Sequence, residues 1–295
     1  MFFILEDMIN GILMGSIYGL AALGLTLIFG VLKVINFAHG SLLMVGMYVA
    51  YWAVLLTGLH PYLTLVIVVP VMFLFGYLLQ DLIIKPIFKA EKDVREPITV
   101  IIVTTGVWYI LDNASLLIFG PQYRNIQENP LRGKMLEAGG MLISVPKLWG
   151  FCAAVLTALA IYAFLQKTRM GRAVRATSLD RDAASLQGIN QYKIYNIAFG
   201  IGTAVAGVAG VTLVPFYNIF PTVGVLFDIK CFIIVVLGGL GSIGGALLGG
   251  MIVGVIESVG PQFMAATWTE AIVYALFLVF LFFKPSGIFG VKYDW

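Results

Sequence analysis

A short polar interruption between two long apolar runs constrains this chain more than any other feature. Residues 33–52 read KVINFAHGSLLMVGMYVAYW, and the interruption consists of Asn36, His39, Gly40 and Ser41. Polar backbone and ionisable side chains are costly inside a bilayer, and they are tolerated mainly where they line a protein-walled cavity or pathway. We therefore expect these four residues to line the path of something polar through the membrane.

The composition places the chain in a membrane. Hydrophobic residues make up 60% of the sequence, charged residues make up 11%, and the mean hydropathy is +0.98. A soluble domain carries about 25% charged residues. The net charge of +3 is modest and gives no reason to expect a nucleic-acid partner. Cys152 and Cys231 lie in apolar runs, so we expect them to pack as small hydrophobic residues rather than to form a disulfide.

Apolar segments of membrane-spanning length recur along the chain, and about 20 residues cross the hydrocarbon core. They predict an all-α polytopic membrane protein that forms a single transmembrane domain over residues 1–295. The basic segment 167–190 belongs in the cytoplasm by the positive-inside rule, which makes the loop 121–147 external. About eight segments are predicted: Met8–Leu32, Ser41–Leu59, Tyr62–Gln80, Ile98–Phe119, Leu148–Leu165, Ile194–Val214, Cys231–Ile256 and Ala271–Phe283.

The glycine-rich segment Cys231–Ser258 is open to two interpretations. A straight span would leave Lys284 outside the cell, whereas a re-entrant hairpin would return the C-terminal end to the cytoplasm, where the positive-inside rule prefers it. Small residues four apart elsewhere, such as Gly15 with Gly19 and Gly250 with Gly254, predict close helix packing.

The glycines Gly239, Gly241, Gly244 and Gly245 are expected to serve helix packing or gating. Three of them complete the dinucleotide-binding pattern G-x-G-x-x-G. That pattern requires a strand, a turn and a helix. It lies here inside a membrane-length apolar run, so we reject a dinucleotide cofactor. No metal-ligand or catalytic spacing is apparent in the sequence, which favours neither a metal site nor an enzyme.

The ionisable groups that we expect inside the membrane are His39, Asp112 and, at the end of a span, Glu257. A charged group at mid-span costs on the order of 3 kcal/mol, so each must face protein or a cavity. For His39 a hydrogen bond to neighbouring backbone and a pathway role are equally compatible with the sequence. For Asp112 we expect a structural hydrogen bond or a place near the outer interface, and Glu257 fits the end of a helix.

The cytoplasmic segment has the signals of a short helix. Thr177 followed by Asp180 is a helix-start pattern, and Gly188 suits the residue after a helix end, so we predict a helix over 177–188. It is too short to span a membrane. A helix lying on the lipid headgroups and a helix that docks on a cytoplasmic partner both remain open.

Four motifs in order resemble the LivH-like permeases of branched-chain amino acid ABC importers, over nearly the whole chain. The motifs are Ile35–Gly40 with Met44–Tyr48, Gly171–Ala176 with Ala184–Ile189, Val236–Gly245, and Lys284–Phe289. The resemblance implies a permease in a bacterial-type cytoplasmic membrane, paired with a second, related permease. It also implies two cytoplasmic ATPase subunits that use ATP, a periplasmic binding protein that supplies selectivity, and no cofactor bound by this chain itself.

On that resemblance the segment 177–188 becomes the element that seats in an ATPase groove. The residues expected to couple the permease to the ATPases are Arg172, Arg175, Asp180, Ala184 and Gly188. Relatives also carry urea and short amides, which leaves the substrate open. Two further classes stay as alternatives: an ion-coupled secondary transporter, with Asp112 or His39 as its ion site, and a solute pore.

Overall fold

The computed structural model is almost entirely helical and describes residues 2–91, 98–126, 133–284 and 287–289. Parts of the predicted 121–147 loop and of the C-terminal tail therefore lie outside the described residues. The helices are α1 (Phe2–Leu32), α2 (His39–Thr57), α3 (Leu65–Leu79), α4 (Lys85–Ala90), α5 (Ile98–Phe119), α6 (Val145–Lys167), α7 (Arg169–Leu179), α8 (Arg181–Leu186), α9 (Gln191–Leu213), α10 (Val223–Gly238), α11 (Ile243–Val259) and α12 (Ala266–Phe283). A 3₁₀ turn, Pro61–Thr64, precedes α3, and a π-helical turn, Gln80–Ile84, joins α3 to α4.

Eight helical stretches in the described residues are long and apolar enough to cross a membrane, which confirms the predicted all-α polytopic class. The predicted span Cys231–Ile256 is wrong as a straight helix, because the chain turns at residues 239–242 between α10 and α11. The hairpin interpretation is thus the correct one. It begins earlier than predicted, since α10 starts at Val223.

Contacts at the helix ends show which parts share a side of the membrane. A two-stranded hairpin, β1 (Met135–Ala138) and β2 (Met141–Ser144), lies against the start of α1, where the side-chain amide of Asn10 donates to the carbonyl oxygen of Leu142 at 3.0 Å. The other end of α1 lies beside α7. The N-terminal end of α1 therefore shares a side with the 121–147 loop and lies opposite the basic segment 167–190.

The C-terminal end of α12 returns to the side of the basic segment. The backbone N–H of Ile288 donates to the carbonyl oxygen of Leu237 at 2.9 Å, at the end of α10. The following turn approaches the C-terminal end of α1, since a methyl group added at Gly30 would lie 3.4 Å from the Cα of Gly241. This placement agrees with the expectation that the C-terminal end and the basic segment share one side.

Glycine faces bring α1 and α11 into backbone contact, as the small-residue spacing predicts. A methyl group added at Gly15 would lie 2.7 Å from the Cα of Met251 and would overlap the carbonyl oxygen of Gly250. One turn away on either side, a methyl group added at Gly11 would lie 2.8 Å from the Cα of Val255, and one added at Gly19 would lie 2.9 Å from the Cα of Leu247. Without a hydrophobic driving force between helices in lipid, such close van der Waals contact supplies much of the packing energy.

The first and last parts of the bundle repeat one arrangement with opposite direction through the membrane. In the first part the long helix α1 is followed by a break and then by α2 and α3. In the last part the long helix α9 is followed by a break and then by α10 and α11. In the described chain α3 packs on α9 as α11 packs on α1. The two long helices cross at Gly24 and Gly202, where a methyl group added to either would lie 2.5 to 2.7 Å from the other's carbonyl oxygen. In this repeat the break at 33–38, which joins α1 to α2, is equivalent to the loop 214–222, which joins α9 to α10. The glycine turn at 239–242 joins α10 to α11 and is therefore not its equivalent.

Candidate translocation and coupling sites

The break between α1 and α2 returns the chain into the membrane. Helix α1 ends at Leu32, and Lys33 follows with a φ of 57°, a left-handed conformation that turns the chain sharply. Helix α2 then begins at His39, which contacts the backbone of Ala21. Ala21 lies 11 residues before Leu32, about 16 Å along the helix axis at a rise of 1.5 Å per residue. The N-terminal end of α2 therefore lies deep in the bundle.

The first three residues of α2 each bond to a different helix. The ring Nε2 of His39 donates to the carbonyl oxygen of Ala21 in α1 at 2.9 Å. The backbone N–H of Gly40 donates to Oδ1 of Asp228 in α10 at 2.5 Å, and the hydroxyl of Ser41 donates to Oδ1 of Asp112 in α5 at 2.6 Å. The side chains of His39 and Ser41 lie about 200° apart around the helix, so they reach different neighbours, while the backbone N–H of Gly40 points out of the helix end toward Asp228.

Helix α10 also begins at this depth. A methyl group added at either Gly40 or Gly224 would overlap the carbonyl oxygen of the other, so the first turns of α2 and α10 touch backbone to backbone. Helix α10 has 16 residues, about 24 Å of rise, which is shorter than the hydrocarbon core of about 30 Å. Two helices thus start inside the membrane and meet at their N-terminal ends.

The four residues predicted for the path, Asn36, His39, Gly40 and Ser41, are brought together and buried here. Their hydrogen bonds are to protein, and His39 makes the backbone contact that was one of its two interpretations. Their role in a path stays a prediction.

Asp112 makes the structural hydrogen bonds expected of it. Its Oδ1 accepts from Ser41, and its Oδ2 accepts the indole N–H of Trp108 at 2.8 Å. The side chain is 8% exposed and lies on the face of α5 that is turned to α2. Both carboxylate oxygens are therefore occupied by donors of the protein.

Asp228 is the residue of this site that the sequence reasoning missed. It was excluded because the seventh span was drawn from Cys231, although apolar residues continue upstream from Val223 on either side of it. If the predicted span had started at Val223, it would have contained an acid and a lysine, Asp228 and Lys230. That combination was the available signal.

A charged pair, Lys230 with Glu257, joins α10 to α11. The ammonium group of Lys230 is 2.8 Å from a carboxylate oxygen of Glu257, and their side chains are 18% and 17% exposed. The ammonium also lies 4.9 Å from the centre of the Tyr18 ring. Glu257 does lie in the last turn of α11, as expected, but it also ties α11 to α10 across the hairpin. Mutual neutralisation is what permits two such charges at membrane depth.

The glycines of the turn between α10 and α11 differ in what the structure requires of them. Gly239 and Gly241 have φ angles of 101° and 86°, which favour glycine, and the hydroxyl of Ser242 caps α11 by accepting from the N–H of Gly245. Gly245 packs on the backbone of Gly238, whereas an added methyl group at Gly244 would meet nothing within 4 Å. The packing role is therefore visible at Gly245, and a gating role remains a prediction.

The basic segment 167–190 differs from its predicted form. The helix predicted to start at Thr177 is wrong, because Thr177 is buried in the last part of α7 and donates to the carbonyl oxygen of Ala173. The break comes at Asp180, whose carboxylate caps α8 by accepting from the N–H groups of Asp182 and Ala183. A carboxylate one residue before a helix satisfies its free N–H groups better than a threonine inside the preceding helix, and so fixes the start. Gly188 does follow the helix end, with a φ of 78°.

The predicted coupling residues divide into exposed and buried positions. Arg172 is exposed, and Arg175 donates to the side-chain oxygen of Gln166 in α6 at 2.5 Å. Ala184 is only 4% exposed and faces the bundle, so it is not part of an outer surface. The outer surface instead presents Leu179 and Leu186, which are 85% and 88% exposed.

Comparison with known proteins identifies the family. The model of a family described as the permease component of branched-chain amino acid transport systems matches residues 8–281. The chain belongs to this family. It is 32% identical to the high-affinity branched-chain amino acid permease protein BraD of Pseudomonas aeruginosa, over 97% of this chain and 95% of that protein. It is also 32% identical to LivH of Salmonella typhimurium and 31% identical to a probable LivH of Methanocaldococcus jannaschii, over 98% and 97% of this chain and 96% and 92% of those proteins. No solved structure matches the chain.

Family membership gives the helical bundle its context. This chain is a multi-pass membrane permease component, and the family is one of transport components rather than enzymes. The buried break around Gly40 and the exposed leucines of α7 and α8 are accordingly features of a transport protein of this kind.

Proposed function

We propose that this chain is the membrane permease of an ATP-driven importer of branched-chain amino acids in the bacterial cytoplasmic membrane. A second, related permease would complete the path, two cytoplasmic ATPase subunits would drive it, and a periplasmic binding protein would deliver the substrate. The single observation that carries the proposal is the match to the permease family over residues 8–281. Urea and short amides, carried by a wider set of relatives, are the alternative substrates.

The segment α7–α8 is proposed as the contact for the ATPases. Leu179 and Leu186 flank the bend at Asp180 and expose most of their apolar surface. Exposed large apolar side chains on a polar segment mark a surface that another protein covers. Arg172, also exposed, adds a charge at the rim of that surface.

Force on α7–α8 would reach the break between α1 and α2 directly. A cleft of about 270 Å³ lies between the end of α1, at Leu32 and Lys33, and the bend at Thr177–Asp182. Closing or opening this cleft would displace Lys33 and with it the chain that leads to His39. The ATPases would shift the permease between its states only to the extent that they bind the two states with different affinity.

Replacing Leu179 and Leu186 by Asp tests the contact. Each buried leucine contributes about 1.5–3 kcal/mol through its apolar surface, so the double variant should reduce copurification of the ATPase subunit and amino-acid uptake at least tenfold. The matched control is Leu136→Asp in the hairpin on the other side of the membrane, where the leucine is 49% exposed. Uptake and copurification at the wild-type level in the double variant would remove α7–α8 from the coupling contact.

The importer is separated from the other transport classes by reconstitution. The purified chain alone in liposomes should not carry leucine, whereas the complex with its ATPase, partner permease and binding protein should do so only with ATP. Transport by the chain alone, driven by an ion gradient, would support a secondary transporter and contradict the proposal.

A further inference from the structure

Three buried polar atoms near the start of α2 have no hydrogen-bond partner in the described part of the chain. They are Nδ2 of Asn36, which is a donor, and two acceptors, Oδ2 of Asp228 and Nδ1 of His39, whose Nε2 donates to Ala21. Asn36 is 3% exposed. An unsatisfied buried donor or acceptor costs about 1–3 kcal/mol, so proteins retain few of them without a use.

Two of these atoms, Nδ2 of Asn36 and Oδ2 of Asp228, belong to side chains that accept from backbone N–H groups at the N-terminal end of α2. Oδ1 of Asn36 accepts the N–H of Ala38 at 3.1 Å, and Oδ1 of Asp228 accepts the N–H of Gly40 at 2.5 Å. The free N–H groups of a first helical turn point out of the N-terminal end. The carboxamide and the carboxylate that accept from them therefore lie at the same end, each with its second polar atom unused.

The neighbouring carboxylate does not share this property. Asp112 receives the hydroxyl of Ser41 on one oxygen and the indole N–H of Trp108 on the other. Its role in holding α2 against α5 is thus complete within the chain. Asp228 alone of the two has an oxygen left for a further donor.

We propose that this end of α2 holds the head group of an α-amino acid during its passage. The substrate's ammonium group donates to Oδ2 of Asp228, and its carboxylate accepts from Nδ2 of Asn36. The partial positive charge at the N-terminal ends of α2 and α10 also favours the carboxylate. The inference rests on the proposed function and deepens it, because a zwitterionic amino acid carries a cation for the Asp228 carboxylate and an anion for the Asn36 amide, whereas urea has neither an ammonium nor a carboxylate group.

The test is Asp228→Asn in the full complex reconstituted in liposomes with its binding protein. Uptake of radiolabelled leucine should fall about tenfold, because the variant loses one charge-assisted hydrogen bond to the substrate. ATP hydrolysis stimulated by the liganded binding protein should stay near the wild-type level, because the coupling surface is unchanged. Asn36→Ala should also lower leucine uptake while ATP hydrolysis stays near the wild-type level, and the fall in uptake should be smaller. Glu270→Gln, an exposed carboxylate in α12, is the matched control and should behave as wild type.

Each result decides the inference. Wild-type uptake by Asp228→Asn overturns it. If Asp228→Asn does not assemble with the ATPase, Asn36→Ala decides: uptake at the wild-type level, or failure of that variant to assemble as well, reduces the pair to a structural role. Failure of the proposed function looks different, since the wild-type complex itself would then lack the ATPase or ATP-dependent leucine uptake.

Discussion

At the scale of single residues, the buried polar contacts of α2 determine where the membrane break is held. Asp112, Asp228 and the carbonyl of Ala21 each bond to one of three consecutive residues, so α2 is fixed from three directions. A hydrogen bond between helices in a membrane adds only modest free energy, because the unfolded chain in the membrane also finds hydrogen-bond partners. Its larger effect is to fix the position of one helix against another.

Ser41→Ala should lower the stability of the purified chain. The substitution removes the hydroxyl that donates to Asp112 at 2.6 Å and leaves a buried carboxylate oxygen without that donor. We expect a loss of about 1–2 kcal/mol, measured as a lower thermal unfolding midpoint in detergent. Asn113→Ala is the control, because that exposed side chain bonds only to the backbone of its own helix, at Tyr109, and should leave the midpoint unchanged. An equal midpoint in both variants would show that the Ser41–Asp112 bond contributes nothing measurable.

At the scale of helices, the close contact of α1 and α11 depends on the absence of side chains. Gly15→Ala should separate them, because the added methyl group would meet backbone atoms of Gly250 and Met251, which cannot rotate away. Overpacking of this kind costs about 1–3 kcal/mol. The expected result is a lower unfolding midpoint and less folded protein on size exclusion.

Gly106→Ala provides the matched control for that substitution. Gly106 lies within α5, and an added methyl group would meet nothing within 4 Å. Alanine favours a helix over glycine by about 1 kcal/mol, so this variant should be as stable as wild type or more stable. If both alanine variants behaved alike, the glycine contact between α1 and α11 would not be what holds these helices together.

Helix identity was largely predictable from the sequence, whereas helix starts inside the bundle were not. Apolar length alone located most spans, since lipid allows few other structures. The start of α8 was misplaced because Asp180 was interpreted as the fourth residue of a start pattern beginning at Thr177, whereas its own carboxylate caps the helix. Asp228 was missed because the seventh span was started too late, at Cys231, and its contact with the N–H of Gly40, 188 residues away in the chain, forms only in the packed bundle.

At the scale of the whole molecule, the sidedness of the bundle follows from its contacts. We expect the hairpin at Glu137 to face the periplasm and the start of α8 at Asp182 to face the cytoplasm. Single cysteines at these positions, in a chain whose exposed Cys152 is replaced by Ser, should react differently with a membrane-impermeant maleimide. In intact cells the position 137 cysteine should be labelled and the position 182 cysteine should not. Opened membranes should label both, and labelling of position 182 in intact cells would invert the proposed orientation.

The crossing of α1 and α9 at Gly24 and Gly202 divides α1 into unequal arms. From Gly24 the helix extends 8 residues to Leu32 and 22 residues back to Phe2, which are arms of about 12 Å and about 33 Å at a rise of 1.5 Å per residue. A rigid rod that tilts about such a fulcrum moves its long end nearly three times as far as its short end, and in the opposite sense. If α1 tilted in this way, a small displacement of its short arm would become a larger one at the far end of the helix, and α11, which packs on the long arm through its glycines, would move with it.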